Sequence, residues 1–183
     1  MKNFFRKGAF GIGPNEQPPA DPLKWALDQV NEVPELSWKG KIYSEKELRK
    51  HYRDWVYGDR KVLRKKYKDN KTLYKTHKDI LRHKTGQKFW ESLEISIRHN
   101  EGINSSSPVL AKLWMFWGNF FAISEKDFLA NYSTGAYQRE IIRPNLNQTF
   151  EKMVYDVTTS WAMIHHLDLS LIHISEPTRL WHI

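Results

Sequence analysis

Arg139, Glu140 and Arg143 are the residues of this sequence whose types and spacing lend themselves most readily to chemistry. Four residues along a helix return to within about 40° of the same direction, so Arg139 and Arg143 share a stripe. Two guanidinium groups on one stripe can grip a carboxylate or phosphate bidentately. The same residues also fit a structural role, with Glu140 paired to Arg143 at helical i to i+3 spacing and Arg139 reaching a helix C-terminus in a portion of the protein beyond this sequence. Sequence leaves both readings open. His165 and His166 are adjacent, so on a helix they point about 100° apart and cannot both ligate one metal unaided. Asp168 follows His165 at i+3, but a hydrolytic zinc site needs a further ligand on another element, and no spacing nominates one. No metal and no cofactor are therefore expected. Ser105, Ser106 and Ser107 lack a strand-turn-helix nucleophile context and read as loop and cap. The absence of cysteine removes disulfides, thiolate ligands and cysteine nucleophiles.

The elements that must position these residues read as helices throughout. Asp21-Pro22 is a helix start, followed by Leu23, Leu27 and Val30 at helical spacing. Upstream, Gly8, Gly11, Gly13 and Pro14 suggest a turn-rich arm; without a preceding strand or a following Lys-Ser/Thr their GxG pattern is no phosphate loop. Ser44 and Glu47 form a capping box that opens a charged helical stretch running to Lys84 as one or two long helices with a narrow apolar seam. Gln87 to Ile97 puts Phe89, Trp90, Leu93 and Ile97 on one face, and the polar run 100–107 reads as a loop. The segment 109–123 is apolar on nearly all sides and reads as a core helix. Ser124 and Asp127 resemble another capping box, and helices are expected over 137–143, 147–158 and 161–167, interrupted at Pro144. No alternating strand pattern or repeat occurs, so the expected fold is all-α: an irregular multi-helix assembly with a turn-rich N-terminal arm and long basic helices.

The net charge of +8 is concentrated. Residues 44–84 hold 15 Lys plus Arg against 6 Asp plus Glu, a net of +9, which leaves the remainder near neutral. Such a block is the footprint of an anionic partner, nucleic acid included, with Trp55, Tyr57, Tyr67 and Tyr74 as candidate stacking groups. A solvated lysine-rich helix has the same composition. No stretch approaches the roughly 18 apolar residues of a membrane span. Lys2, Arg6 and Lys7 are followed by too short an apolar run for a secretory signal, so the default location is cytoplasmic.

Several segments together resemble the bacterial family catalogued as domain of unknown function 1800 (DUF1800). They are Phe116-Trp117-Gly118-Asn119-Phe120-Phe121, Tyr137-x-Arg139-Glu140-x-x-Arg143-Pro144, Phe150, Ala162-Met163 and Leu167-Asp168, with FGIGP and DPLKWALDQ near the N-terminus. Phe120 stands where many members have histidine and Trp161 where many have proline, so no role of that histidine carries over. The resemblance implies a long helical protein without an assigned activity, often exported, whose gene often neighbours that of a sulfatase-like protein. It also implies continuation into an acidic, leucine-rich helix after residue 168. Residues 169–179, LSLIHISEPTR, instead match the in-frame translation of a constant transposase adapter used in DNA library preparation. The expectation is thus a truncated chain: 1–168 as the N-terminal portion of a larger domain and 169–183 as a non-native tail, excluded from site arguments. Functionally it reads as a helical scaffold or partner protein. The alternatives are a hydrolase whose catalytic half lies beyond residue 168, or a nucleic-acid-binding module using 44–84.

Overall fold

The computed structural model describes residues 2–12, 17–124 and 130–167. It is all-α, with no strand among the described residues. The arm is more regular than its glycines suggest, since Lys2–Gly8 forms a helix (α1). Phe5 explains this: it is fully buried and meets Trp25 edge-on, while the Lys112 ammonium donates to the carbonyls of Arg6 and Ala9 and so satisfies the C-terminal end of the helix. The turn itself falls at Gly11, whose φ of 106° suits glycine.

Asp21 caps α2 (Pro22–Val30) by accepting from Lys24 N. Its Leu23 and Leu27 are exposed rather than packed, because α2 turns Trp25, not its leucines, toward Phe5. The capping box at Ser44 and Glu47 opens α3 (Glu45–Arg53). The chain continues without a break through a π-helical stretch, Asp54–Asp59, into α4 (Arg60–Lys66), and then α5 (Lys71–Lys84). The narrow seam consists of Leu48, Trp55 and Leu63, all buried.

Helix α6 runs from Gln87 to Asn104, well past the loop expected at residue 100. The polarity of 100–104 misleads, since Glu101 lies on the buried stripe of Trp90 and Ile97 and finds its partner in the core. Helix α7 (Pro108–Phe120) lacks a side-chain cap from Ser107; Gln29 of α2 accepts from Val109 N instead. Helix α8 (Ala130–Tyr137) passes into a π-helical turn, Gln138–Ile142, and a 3-10 turn, Arg143–Asn145. The irregularity is local chemistry: Pro144 has no N–H to give the Glu140 carbonyl, and the indole of Trp114 donates to the Gln138 carbonyl at 2.7 Å. Thr149 caps α9 (Phe150–Thr159) and Ser160 caps α10 (Trp161–His166).

Two apolar clusters form the core. One gathers Trp114, Tyr137, Ile142, Met153, Val157 and Met163; the other gathers Leu48, Trp55, Trp90, Tyr132 and Ala136. No described helix is long and apolar enough to cross a membrane. The expected capping box at Ser124 and Asp127 runs into residues outside those described, as do Asp168 and the tail 169–183.

Candidate functional site

Arg139 and Arg143 do lie on one stripe, and the structure supplies each with a buried carboxylate from α6. Arg139 grips Glu94 through two bonds, Nη2 to Oε1 at 2.8 Å and Nε to Oε2 at 3.2 Å. Its remaining donors reach the Tyr43 carbonyl at 2.6 Å and Glu140 at 3.2 Å. Arg143 donates to Glu101 at 3.2 Å and to the Pro34 carbonyl at 2.6 Å. Between these rungs Arg98 donates to the Gln138 side-chain oxygen at 2.6 Å. The expected Glu140–Arg143 pair is therefore replaced. Glu140 faces the other way, accepting from Arg139 and from the Glu45 backbone N–H, and Arg139 reaches a carbonyl of the 31–44 segment rather than a helix C-terminus.

This ladder also holds the long irregular segment 31–44 in place. Ser37 donates through N–H and hydroxyl to Glu101 Oε2 at 2.8 and 2.7 Å, and Asn100 donates to the Ser37 hydroxyl. Sequence reasoning missed both acids. Their signal was present: Glu94 and Glu101 are seven residues apart, two helical turns, on the stripe of Trp90 and Ile97. Acids on an apolar stripe demand buried cations. A small cavity of about 130 Å³ adjoins the ladder, lined in part by Glu94, Ile95, Arg98, Trp114, Thr134 and Gln138.

The ladder makes stability sensitive to acid. Burial pushes the Glu101 carboxyl up, but the bonds from Ser37 and Arg143 outweigh it and hold the group below its ordinary 4.5. A carboxyl lowered on folding adds stability above the unfolded value, and that contribution is lost as pH falls through the folded value. Glu45 works in the opposite direction: burial chiefly, opposed by Arg49 and reinforced by Glu140, raises its carboxyl, so it takes up a proton more readily in the folded state and offsets part of the loss. His51, stacked on Trp90 at 4.2 Å, is pushed down mainly by burial from 6.5; the unfolded chain binds its proton first. The melting temperature is therefore expected to start falling below about pH 6.5 and to steepen below about pH 4.5. His51→Phe should remove the first step and Glu101→Gln should lessen the second, to which Glu47 and Asp156, also held low by hydrogen bonds, contribute; thermal unfolding across pH reads both, and an unaltered profile in both variants refutes the assignment.

The histidines at the end of α10 are occupied separately. His165 stacks on Trp161 at 5.2 Å, and His166 Nδ1 accepts from Ser124 N at 3.1 Å. No group of three metal-binding side chains occurs among the described residues. Of the candidate stacking groups, Trp55 is buried and Tyr67 is stacked on His77 at 4.7 Å, whereas Tyr57 is open to solvent.

A second set of the residues that carry the family resemblance gathers around α7 and α9. Helix α7 is core on one side only, through Val109, Leu110 and Trp114; its other side exposes Phe116 and Phe120 by 57% and 62%. Phe116 meets Trp117 edge-on at 5.1 Å, Trp117 meets Phe150 of α9 at 5.6 Å, and Phe121 stacks toward Phe150 at 6.5 Å. Asn119 and Pro144 are exposed. Four motif residues, Phe116, Trp117, Phe121 and Phe150, thus form one aromatic cluster, exposed at Phe116 and Phe150 and packed on the core at Trp117 and Phe121. The family described as "Protein of unknown function (DUF1800)" matches residues 6–171. The chain belongs to the DUF1800 family. Comparison with curated proteins and with solved structures gives no match. Within the DUF1800 match, the YxRExxRP block supplies the ladder and the FW-x-N block supplies the aromatic cluster. The first motif holds helices together; the second is divided between the core, through Trp117 and Phe121, and the surface, through Phe116 and Phe120.

Proposed function

We propose that this DUF1800 protein is a helical scaffold that acts by binding a partner protein through the aromatic face of Phe116, Trp117, Phe120 and Phe150. The carrying observation is the contrast between its two motif blocks: Arg139 has its donors committed to internal acceptors, whereas Phe116, Phe120 and Phe150 are each more than half exposed. Aromatic side chains anchor protein interfaces because they bury large area at low entropic cost, and a contiguous apolar patch on a folded surface is the usual sign of an interface. The same reading takes 1–168 as the N-terminal portion of a larger helical domain and 169–183 as adapter-derived. The partner implied by the family resemblance is a sulfatase-like protein encoded nearby.

Phe116→Ser with Phe120→Ser is the test, because both side chains are exposed and their loss leaves the core intact. The double variant should unfold at the parental temperature, bind less of an apolar dye, and weaken binding to the neighbouring sulfatase-like protein by at least about tenfold. Parental binding with equal affinity in the double variant refutes the face. An absence of binding by the parent refutes the partner.

A further inference from the structure

A second surface carries an independent inference. Along α3, Lys46, Arg49 and Arg53 follow each other at i, i+3 and i+7, which places them within about 60° of one direction on a helix and over about 10 Å of its length. With Tyr52 and Tyr57 they line a cleft of about 450 Å³, a size in the range of small-molecule sites. Two of its side chains are backed by other elements. The Arg49 guanidinium lies 4.7 Å from the centre of the Trp161 ring of α10, and Tyr52 packs edge-on against Tyr132 of α8 at 5.6 Å.

The cleft gathers three cations of the basic block 44–84 on one helix face, with little acid against them. Lys46 and Arg53 make no ion pair among the described residues, and Arg49 has only Glu45, at 3.8 Å. About two positive charges are thus left uncompensated at one point, beside an exposed phenol ring at Tyr57. We propose that this cleft binds a small phosphate ester, its phosphate held by Lys46, Arg49 and Arg53 and its organic part lying against Tyr57. A phosphate monoester carries close to two negative charges at neutral pH, which balances the two unpaired cations. Arginine forks suit its oxygens bidentately, while lysine serves as a point charge. A nucleic-acid backbone would instead call on cations spread along α4 and α5, and those lie outside the cleft.

Isothermal titration of the full chain with pyrophosphate and with adenosine monophosphate tests this. Both should bind at low salt and weaken as salt rises. Lys46→Ala with Arg53→Gln, two exposed positions whose fold is checked by circular dichroism, should lower affinity by at least about tenfold. Tyr57→Ala should weaken the nucleotide but not pyrophosphate. Lys61→Ala with Lys65→Ala in α4 should change neither. The proposal is overturned if neither probe binds, or if the two double variants lose affinity equally. It is overturned in favour of a polyanion surface if a single-stranded oligonucleotide binds more tightly than either probe and the α4 variant weakens it as much as the cleft variant. None of these outcomes depends on the aromatic face.

Discussion

Replacing Arg139 by methionine is expected to cost about 3–5 kcal/mol of stability, because it strands a carboxylate inside the protein. Glu94 is 8% exposed and both its oxygens are held by Arg139, so the substitution leaves a buried charge without a counterion. For a chain of this size that corresponds to a fall in melting temperature of about 6–20 °C. Arg143→Met should cost less. Glu101 keeps two bonds from Ser37, and the Arg143 Nε is already buried without a partner, so less is lost. The double change Glu94→Leu with Arg139→Met should recover much of the deficit, since an apolar pair of similar volume avoids the desolvation that a buried ion pair incurs. Calorimetry of the three variants decides the matter. A double variant no more stable than Arg139→Met alone, or an Arg139→Met protein as stable as the parent, would show that the guanidinium does not neutralise Glu94. The arginine would then regain its claim as a ligand-binding group.

The same residues show how far sequence carries. The stripe shared by Arg139 and Arg143 was legible, since it depends only on helical spacing, and so were the caps at Asp21 and Ser44, where side chain and backbone meet within one turn. Partner choice was not. Glu140 is adjacent to Arg139 and within reach of Arg143, so local spacing nominates it; the carboxylates that win lie 45 and 42 residues away on α6. A tertiary contact overrides a local one here because a charge facing the core must be neutralised there, whereas Glu140 reaches solvent and has no such need. Helix α7 shows the converse. Its composition says core on all sides, yet only one side meets other helices, and aromatic density alone does not distinguish packing against the protein's own core from packing against something else. The basic block divides similarly: composition located the charge, but only the fold shows that Trp55 is buried and that Lys46, Arg49 and Arg53 share one cleft.

Gly135→Ala is expected to be the most damaging glycine-to-alanine change among the described residues. Helices α6 and α8 cross so closely that a Cβ at Gly135 would stand 2.2 Å from Glu94 Cβ, 2.5 Å from its Cγ and 2.9 Å from its Cδ. The nearest of these atoms is fixed to the α6 backbone, so no rotamer change relieves the clash, and the far end of Glu94 is tied to Arg139. The helices must separate, which opens the packing around Trp90 and Tyr132 and stretches the Glu94–Arg139 rung. Overpacking of this kind costs about 1–3 kcal/mol or more, and loss of the rung adds to it. Gly118→Ala offers a milder comparison, because a Cβ there meets the terminal amide of Gln138 at 3.2 Å, which need shift by only a few tenths of an ångström against its bond from Arg98. Thermal unfolding should therefore rank Gly135→Ala well below Gly118→Ala. Because the clash begins at Cβ, Glu94→Ala should not rescue Gly135→Ala, whereas Glu94→Gly should relieve the contact itself. An unchanged melting temperature for Gly135→Ala would mean that α6 and α8 are not in contact at this crossing, and the ladder built on their approach would fall with it.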